Sequence, residues 1–401
     1  MEEWKEFSLS DCCDLIAGYA FKSKDFGEYP VKVLKIADIN PPFVSSDSSV
    51  GVNLDNYDLR KIEKFIIKKG DYLLAMTGAT IGKLGRYISE NDAYLNQRVL
   101  KFQAKNNIDS DFLYYVLSGH YFSKYVSNHI DSESAQPNIS AGTIGKYTFT
   151  APSLSGQRNI AFILSSLDDK IAANKKICEN LEAQAQALFK HWFVDFAPFK
   201  DGKFVESELG LIPEGWRVGN IFDVASIFDK IRKPLSGKDR EYMNKIYPYY
   251  GATSCMDYVD SYLFDGIYTL IGEDGSVAKE NGLPYMQYVW GKFWVNNHAH
   301  ILQGKNGFST EMVHVFLSRY NIKHLVTGAV QAKLSQANMQ KILLPIPPKD
   351  EINKLRPVID CLYEKIRNCE DESSCLSTLR DTLLPKLMSG QIKVNEIEKS
   401  L

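Results

Sequence analysis

The spacing of apolar positions changes character twice along the chain. Val31–Ile36, Phe65–Ile67, Tyr72–Ala75 and Val99–Phe102 are short runs rich in β-branched or aromatic residues, broken by Gly, Asn, Asp and Pro. Tyr268–Ile271, Tyr288–Trp290 and His300–Gln303 repeat that texture further along. Such runs predict strands in small mixed α/β domains with many turns. Between and after them the period lengthens. From Ile160 the inward positions alternate by four and three: Ile160, Leu164, Leu167, Ile171, Asn174, Cys178, Leu181, Ala185, Leu188 and Trp192. Leu355, Ile359, Leu362, Ile366, Cys369, Ser373, Leu376, Arg380, Leu383 and Leu387 do the same. A heptad seam of that length predicts a long helix packed on another helix.

Each seam follows a proline break, Ala151-Pro152 or Pro345-Ile346-Pro347-Pro348. A helix of about 35 residues would span about 52 Å at the usual rise. Pro385 lacks a backbone donor and predicts a kink or an end near Leu384. Asn174, Ser373 and Arg380 interrupt the apolar seams, and polar seam residues tend to fix register and partner. Burying the two seams against each other, antiparallel, would relate the two halves of the chain by a pseudo-twofold axis.

The halves are copies of one design. A shift of 195 places Gln136, Ser140, Lys146 and Pro152 on Gln331, Ser335, Lys341 and Pro347, and without a gap continues through Leu167 on Leu362 to Leu188 on Leu383. A shift of 200 aligns Asn96, Gln103 and Lys105-Asn106 with Asn296, Gln303 and Lys305-Asn306. A shift of 212 pairs Trp4 and Asp11 with Trp216 and Asp223. The expected organisation is a first mixed domain over 1–152, a long helix over 153–197, a linker and second mixed domain over 198–347, and a second long helix with the following segment over 348–394.

Bulk composition narrows the function classes. Of 401 residues 44% are apolar and 24% charged, an ordinary globular balance. No apolar run is long enough to span a bilayer and MEEWKEFSLSD lacks the features of a signal peptide, so a cytoplasmic protein is expected. Seven cysteines without a CxxC pair suggest free thiols, with no disulfide framework and no metal site. A formal charge of −2 is not the footprint of a protein that grips nucleic acid alone.

Several local signals compete for a chemical role. Asn40-Pro41-Pro42-Phe43 matches the tetrapeptide with which amino-methyltransferases hold a flipped base. It has no accompanying cofactor-binding glycine turn and no counterpart in the second half, so a turn is expected. Gly78-Ala-Thr-Ile-Gly82-Lys83 is one residue short of a phosphate loop, and nucleotide binding is not expected. It reads either as a plain hairpin or as a turn whose Thr77, Thr80 and Lys83 donate to a DNA phosphate. His298 and His300 alternate on an expected strand without a third metal ligand.

Side chains able to read base edges cluster in matched places. Asn96, Gln97 and Arg98 correspond to Asn296, Asn297 and His298, while Gln136, Asn138 and Ser140 correspond to Gln331, Lys333 and Ser335. Asn and Gln suit adenine and Arg suits guanine. Lys22 and Lys24 in one half, and Lys230, Arg232 and Lys233 in the other, add local positive charge, and Ser276 lies in the segment replacing the first glycine loop. Gln136 and Ser140 recur in both halves, so they could serve common structure or phosphate contact while their neighbours read bases.

LFKHWFVDF at Leu188–Phe196, ESELGLIPEGWRVGNI at Glu206–Ile221 and TLRDTLLPKLMSGQIKV at Thr378–Val394 closely resemble the central and C-terminal segments of Type I restriction–modification specificity subunits. KGDYLLAMTGATIGKLGRY at Lys69–Tyr87 is similar to the glycine-bearing segment of their recognition domains. The resemblance runs the length of the chain. It implies a non-catalytic subunit with two target-recognition domains, each reading half of a bipartite DNA motif. The two helices would set the unread gap and dock two adenine methyltransferase subunits. Those partners would carry S-adenosylmethionine, with motor–nuclease subunits as further partners, and would share the phosphate contacts that a near-neutral chain cannot make alone.

The second half carries Leu270-Ile271-Gly272-Glu273-Asp274-Gly275-Ser276 where the first has its glycine loop. Acidic residues oppose phosphate but can accept from cytosine, so unlike half-sites and an asymmetric motif are expected. A specificity subunit of a related Type II system, a stand-alone adenine methyltransferase using Asn40–Phe43, and a helical scaffold without a DNA role remain open alternatives.

Overall fold

The structure, a computed structural model, describes residues 4–131, 137–328 and 331–392. Two compact units divide it: Met1–Ile171 with Ser374–Leu401, and Ala172–Ser373. The long helices Leu154–Phe193 and Lys349–Met388, 40 residues each, contribute one part to each unit.

The two units share three sheets of corresponding strand order, with a fifth strand, Phe43–Val44, in the main sheet of the first and an added hairpin, Phe204–Ser207 with Gly210–Pro213, in the second. In the first, Cys13–Ala17, Val99–Ala104, Tyr72–Ala75, Leu84–Tyr87 and Phe43–Val44 lie side by side, with Val99–Ala104 antiparallel to both of its neighbours. In the second, Ala225–Ile227, Ala299–Gly304, Tyr268–Gly272 and Met286–Val289 form the corresponding sheet. A second sheet in each unit pairs strands in parallel, Lys32–Leu34 with Ala93–Leu95 and Tyr249–Tyr250 with Trp294–Val295. A short antiparallel ladder closes each repeat, Lys5–Ser8 with Thr148–Ala151 and Arg217–Asn220 with Leu343–Ile346.

Residues that recur between the halves punctuate this fold. Asp11 accepts the Ser8 amide at 3.2 Å and Asp223 accepts the Asn220 amide at 2.8 Å, so the pair aligned by the repeat closes the first turn of equivalent short helices. Trp216 lies among Phe193, Phe196 and Phe199, with ring centroids 5.1–5.5 Å away. In the first unit Trp4 packs against Gly390, where an added Cβ would lie 3.0 Å from the indole. The LFKHWFVDF and IPEGW segments are therefore a single aromatic cluster.

The expected heptad seams are the inward faces of the helices. Ile160, Leu164, Asn174, Cys178, Ala185, Leu355, Ile359, Ile366, Cys369 and Leu387 are buried, while Leu167, Ile171, Leu181, Leu188, Leu362, Leu376 and Leu383 are half-buried. Within the second unit Asn174 bonds the Cys369 carbonyl at 3.3 Å and the Cys178 thiol lies 3.8 Å from the Ile366 carbonyl. One helix number rises as the other falls, so the helices run antiparallel there. Within the first unit Arg380 donates to Asp168 at 2.7 Å, and Tyr115 donates to the other oxygen of Asp168 at 2.7 Å. The polar interruptions in the seam thus find partners across it, through Asn174 Nδ2 and the Arg380 guanidinium.

One expectation about the second helix is corrected. Of the kink or end expected near Leu384, the end is overturned, since the helix continues to Met388. Leu383, Leu384, Leu387 and Met388 pack into the core of the first unit, and that burial holds the last turn past the missing donor.

Candidate nucleic-acid interface

Four segments that are distant in sequence meet at one place in each unit. In the first, the Met76 amide donates to the Arg98 carbonyl at 2.8 Å, the Ile139 amide to the Met76 carbonyl at 3.0 Å, and the Gly78 amide to the Pro137 carbonyl at 3.2 Å. Gln97 donates to the Tyr19 carbonyl at 2.8 Å, which brings in the segment leading to Lys22 and Lys24. Gly18 permits this approach, since a Cβ there would fall 2.0 Å from the Asn96 carbonyl oxygen. The expected candidates at 77–83, 96–98 and 138–140 are therefore neighbours.

The second unit repeats the three backbone bonds that join the loop, the tip and the last segment. The Glu273 amide donates to the His298 carbonyl at 2.8 Å, the Leu334 amide to the Glu273 carbonyl at 2.7 Å, and the Gly275 amide to the Ala332 carbonyl at 2.9 Å. Trp294 Nε1 donates to the Lys233 carbonyl at 2.6 Å, placing the basic segment alongside. Ser276, Asn297, Gln331 and Lys333 are exposed around it.

Burial sorts the candidates. Asn96 and Asn296 are buried and shape the turn: their amides bond the Leu34 and Tyr250 carbonyls at 3.0 Å, and Asn296 Oδ1 accepts the His298 amide at 2.8 Å. Gln97, Arg98 and Asn297 are exposed at the tip, where Arg98 adopts a φ of 72°. Thr77 is buried, Thr80 half-buried and Lys83 exposed. Ser140 and Ser335 cap short helices, accepting the Thr143 and Asn338 amides at 2.9 and 3.2 Å. Lys22, Lys24, Lys230 and Lys233 are exposed. Gln136 lies outside the described residues.

Arg232 is half-buried and tied to its own unit. Its guanidinium donates to the Ala299 carbonyl at 2.7 Å and to Glu273 at 2.5 Å. Asp274 pairs with His298, so both acids that replace the first glycine loop meet a base. The residues that sequence reasoning missed are Asp229 and Gln336, and Glu273, expected to oppose phosphate or accept from cytosine, instead pairs with Arg232. The signal for Asp229 and Glu273 was the near balance of acids and bases across 229–233, 273–274 and 298–300. Burial alone would raise the Asp229 carboxyl, but the hydrogen bond from His300 and the charges of His300 and Arg232 hold it below the ordinary range.

Asp229, Glu273 and His300 could each offer a ligand atom to a cation, with the atoms within 4.8 Å of one another. Arg232 already lies against both carboxylates, at 3.4 and 2.5 Å, and the two His300 nitrogens face Asp229 and the Leu334 carbonyl. The donor set fits an ion-pair network better than a metal. Asn40 is exposed and Phe43 is 41% exposed, while the Pro42 carbonyl accepts the Arg86 amide at 2.9 Å. The tetrapeptide is a surface turn running into a strand.

Residues 1–183 and 213–356 match the family described as "Type I restriction modification DNA specificity domain". The chain belongs to this family. It is a Type I restriction–modification specificity subunit with a DNA-recognition role. The MjaIX specificity subunit of Methanocaldococcus jannaschii is 28% identical over 374 residues, covering 86% of this chain and 83% of that protein. The HindI specificity subunit of Haemophilus influenzae is 23% identical and covers 98% of this chain and 100% of that one. The S subunit from M. genitalium shares the fold, with a TM-score of 0.60 at 16% identity over 96% of each chain. For this specificity subunit, no helix among the described residues is long and apolar enough to cross a membrane.

Proposed function

We propose that the two junctions are the DNA-reading surfaces of this specificity subunit and that they read unlike halves of a bipartite motif. The observation that supports this is the conservation of the junction's backbone bonds alongside the change of its exposed side chains. Gln97 and Arg98 at the first tip correspond to Asn297 and His298 at the second, and Asn138 is replaced by Lys333. Phosphate contacts position a protein, whereas base contacts specify, and two surfaces with different donors suit different bases.

The long helices would set the unread gap and present surfaces for two adenine methyltransferase subunits, with motor–nuclease subunits as further partners. S-adenosylmethionine would reside on those methyltransferases, and this chain would remain non-catalytic. A net charge of −2 supports shared phosphate contact, since a lone reader of DNA needs clustered cations. Selection of bound duplexes from a randomised pool by the complex with its methyltransferase tests the reading. The expected result is a split motif with two different halves. A palindromic or ungapped motif would contradict it.

A further inference from the structure

We propose that His300 and Asp229 are positioning residues that set the base preference of the second reading surface, a role that rests on the DNA-reading function proposed above. His300 is 1% exposed. Its Nδ1 lies 2.6 Å from Asp229 Oδ2 and its Nε2 lies 2.6 Å from the Leu334 carbonyl oxygen. Both partners accept, so both nitrogens donate. Asp229 gathers three further donors: the Ile301 amide at 3.1 Å, Gln336 Nε2 at 2.7 Å and Arg232 at 3.4 Å. Glu273 joins through Arg232 and through Lys333 at 3.5 Å.

Every segment of the second junction is thereby bonded to this network. Asp229 and Arg232 hold the basic segment, Glu273 holds the acidic loop, His300 holds the strand beyond the Asn297 tip, and Leu334 with Gln336 holds the last segment. The first junction is built otherwise. Met76 occupies the backbone role of Glu273, Leu100 stands at the position of His300 under the shift of 200, and Ile139 takes the role of Leu334. Met76, Leu100 and Ile139 share one apolar cluster.

Apolar packing is non-directional and tolerates small rearrangements, whereas charge-assisted hydrogen bonds fix angle and distance. Base readout needs its side chains held to about 0.5 Å. The second surface therefore owes its alignment to His300 and Asp229, whereas among the described residues of the first an apolar cluster takes that place.

The test uses the intact chain assembled with its methyltransferase, with methylation of a randomised duplex library read by long-read sequencing. His300→Leu and Asp229→Asn are expected to raise methylation at sites mismatched in one half at least tenfold relative to the cognate site, with the other half unchanged. Its unchanged state shows in the same molecule that the complex has assembled. His300→Gln, which keeps one donor, should fall between wild type and His300→Leu. Arg98→Ala should relax the opposite half. Gln336→Ala removes only an exposed amide, so it reports even where the His300 variants do not fold, and it should relax the same half more weakly. A split motif left intact by His300→Leu and Gln336→Ala overturns the positioning role alone, as does equal relaxation of both halves. A wild-type complex with no split motif overturns the reading function itself.

Discussion

Ser140 and Ser335 coincide under the internal repeat, and each caps a short helix beside a proposed reading surface. Replacing either with alanine is expected to cost about 1 kcal/mol, seen as a lower thermal midpoint, with an unchanged motif. A relaxed motif at unchanged stability would mean instead that the hydroxyl touches DNA. His314 makes a second residue-scale prediction. It is half-buried against Tyr288 and Tyr363, its Nδ1 lies 2.7 Å from Thr269 Oγ1, and desolvation pushes its pKa down to about 4. The unfolded imidazole binds a proton near pH 6.5 that the folded one refuses until about pH 4. Its contribution is therefore full above about pH 6.5 and is lost as pH falls toward 4, by up to ~3 kcal/mol. Urea midpoints measured between pH 4 and 7 should show this slope, and His314→Leu should flatten it. At this scale the sequence showed which residue types could read bases, yet not which were free to. Asn96 and Asn296 carry the right chemistry and are buried in the turn, a distinction that depends on strand partners 62 and 46 residues away, Leu34 and Tyr250.

The long helices were legible because a heptad seam is a local, periodic signal that survives single polar intrusions. Asn174 and Arg380 broke the apolar pattern but kept the inward phase, and each found a partner across the seam. The strands were legible as runs, although the parallel pairing of Lys32–Leu34 with Ala93–Leu95 was not, because its partners are separated by 61 residues, as the pairing of Lys32 with Ala93 shows. The end of the second helix was misread because a proline's local cost was weighed without the core that Leu387 enters. If the helices set the gap, removing seven residues from each shortens the span by about 10 Å at 1.5 Å per residue. At about 3.4 Å per base pair that is roughly 3 base pairs. The half-sites should stay the same in the recovered motif. Altered half-sites with an unchanged gap would contradict the ruler role.

At the scale of the whole molecule the near-neutral charge is the constraint that organises the rest. The two proposed reading surfaces, with exposed Lys22, Lys24, Lys230 and Lys233, sit in a chain whose acids outnumber its Lys and Arg by 49 to 47. On the proposed reading, specific binding would depend on partners that contribute cations, and this chain's effect would then be visible only in their company. The measurement that bears most directly on the central claim is adenine methylation across a host genome, mapped by long-read sequencing. Three strains suffice: one with this gene and a neighbouring methyltransferase gene, and one lacking each. A split motif with unlike halves, present only when both genes are present, is the expected result. Methylation that persists without this gene, or that appears from this gene alone, would contradict the account.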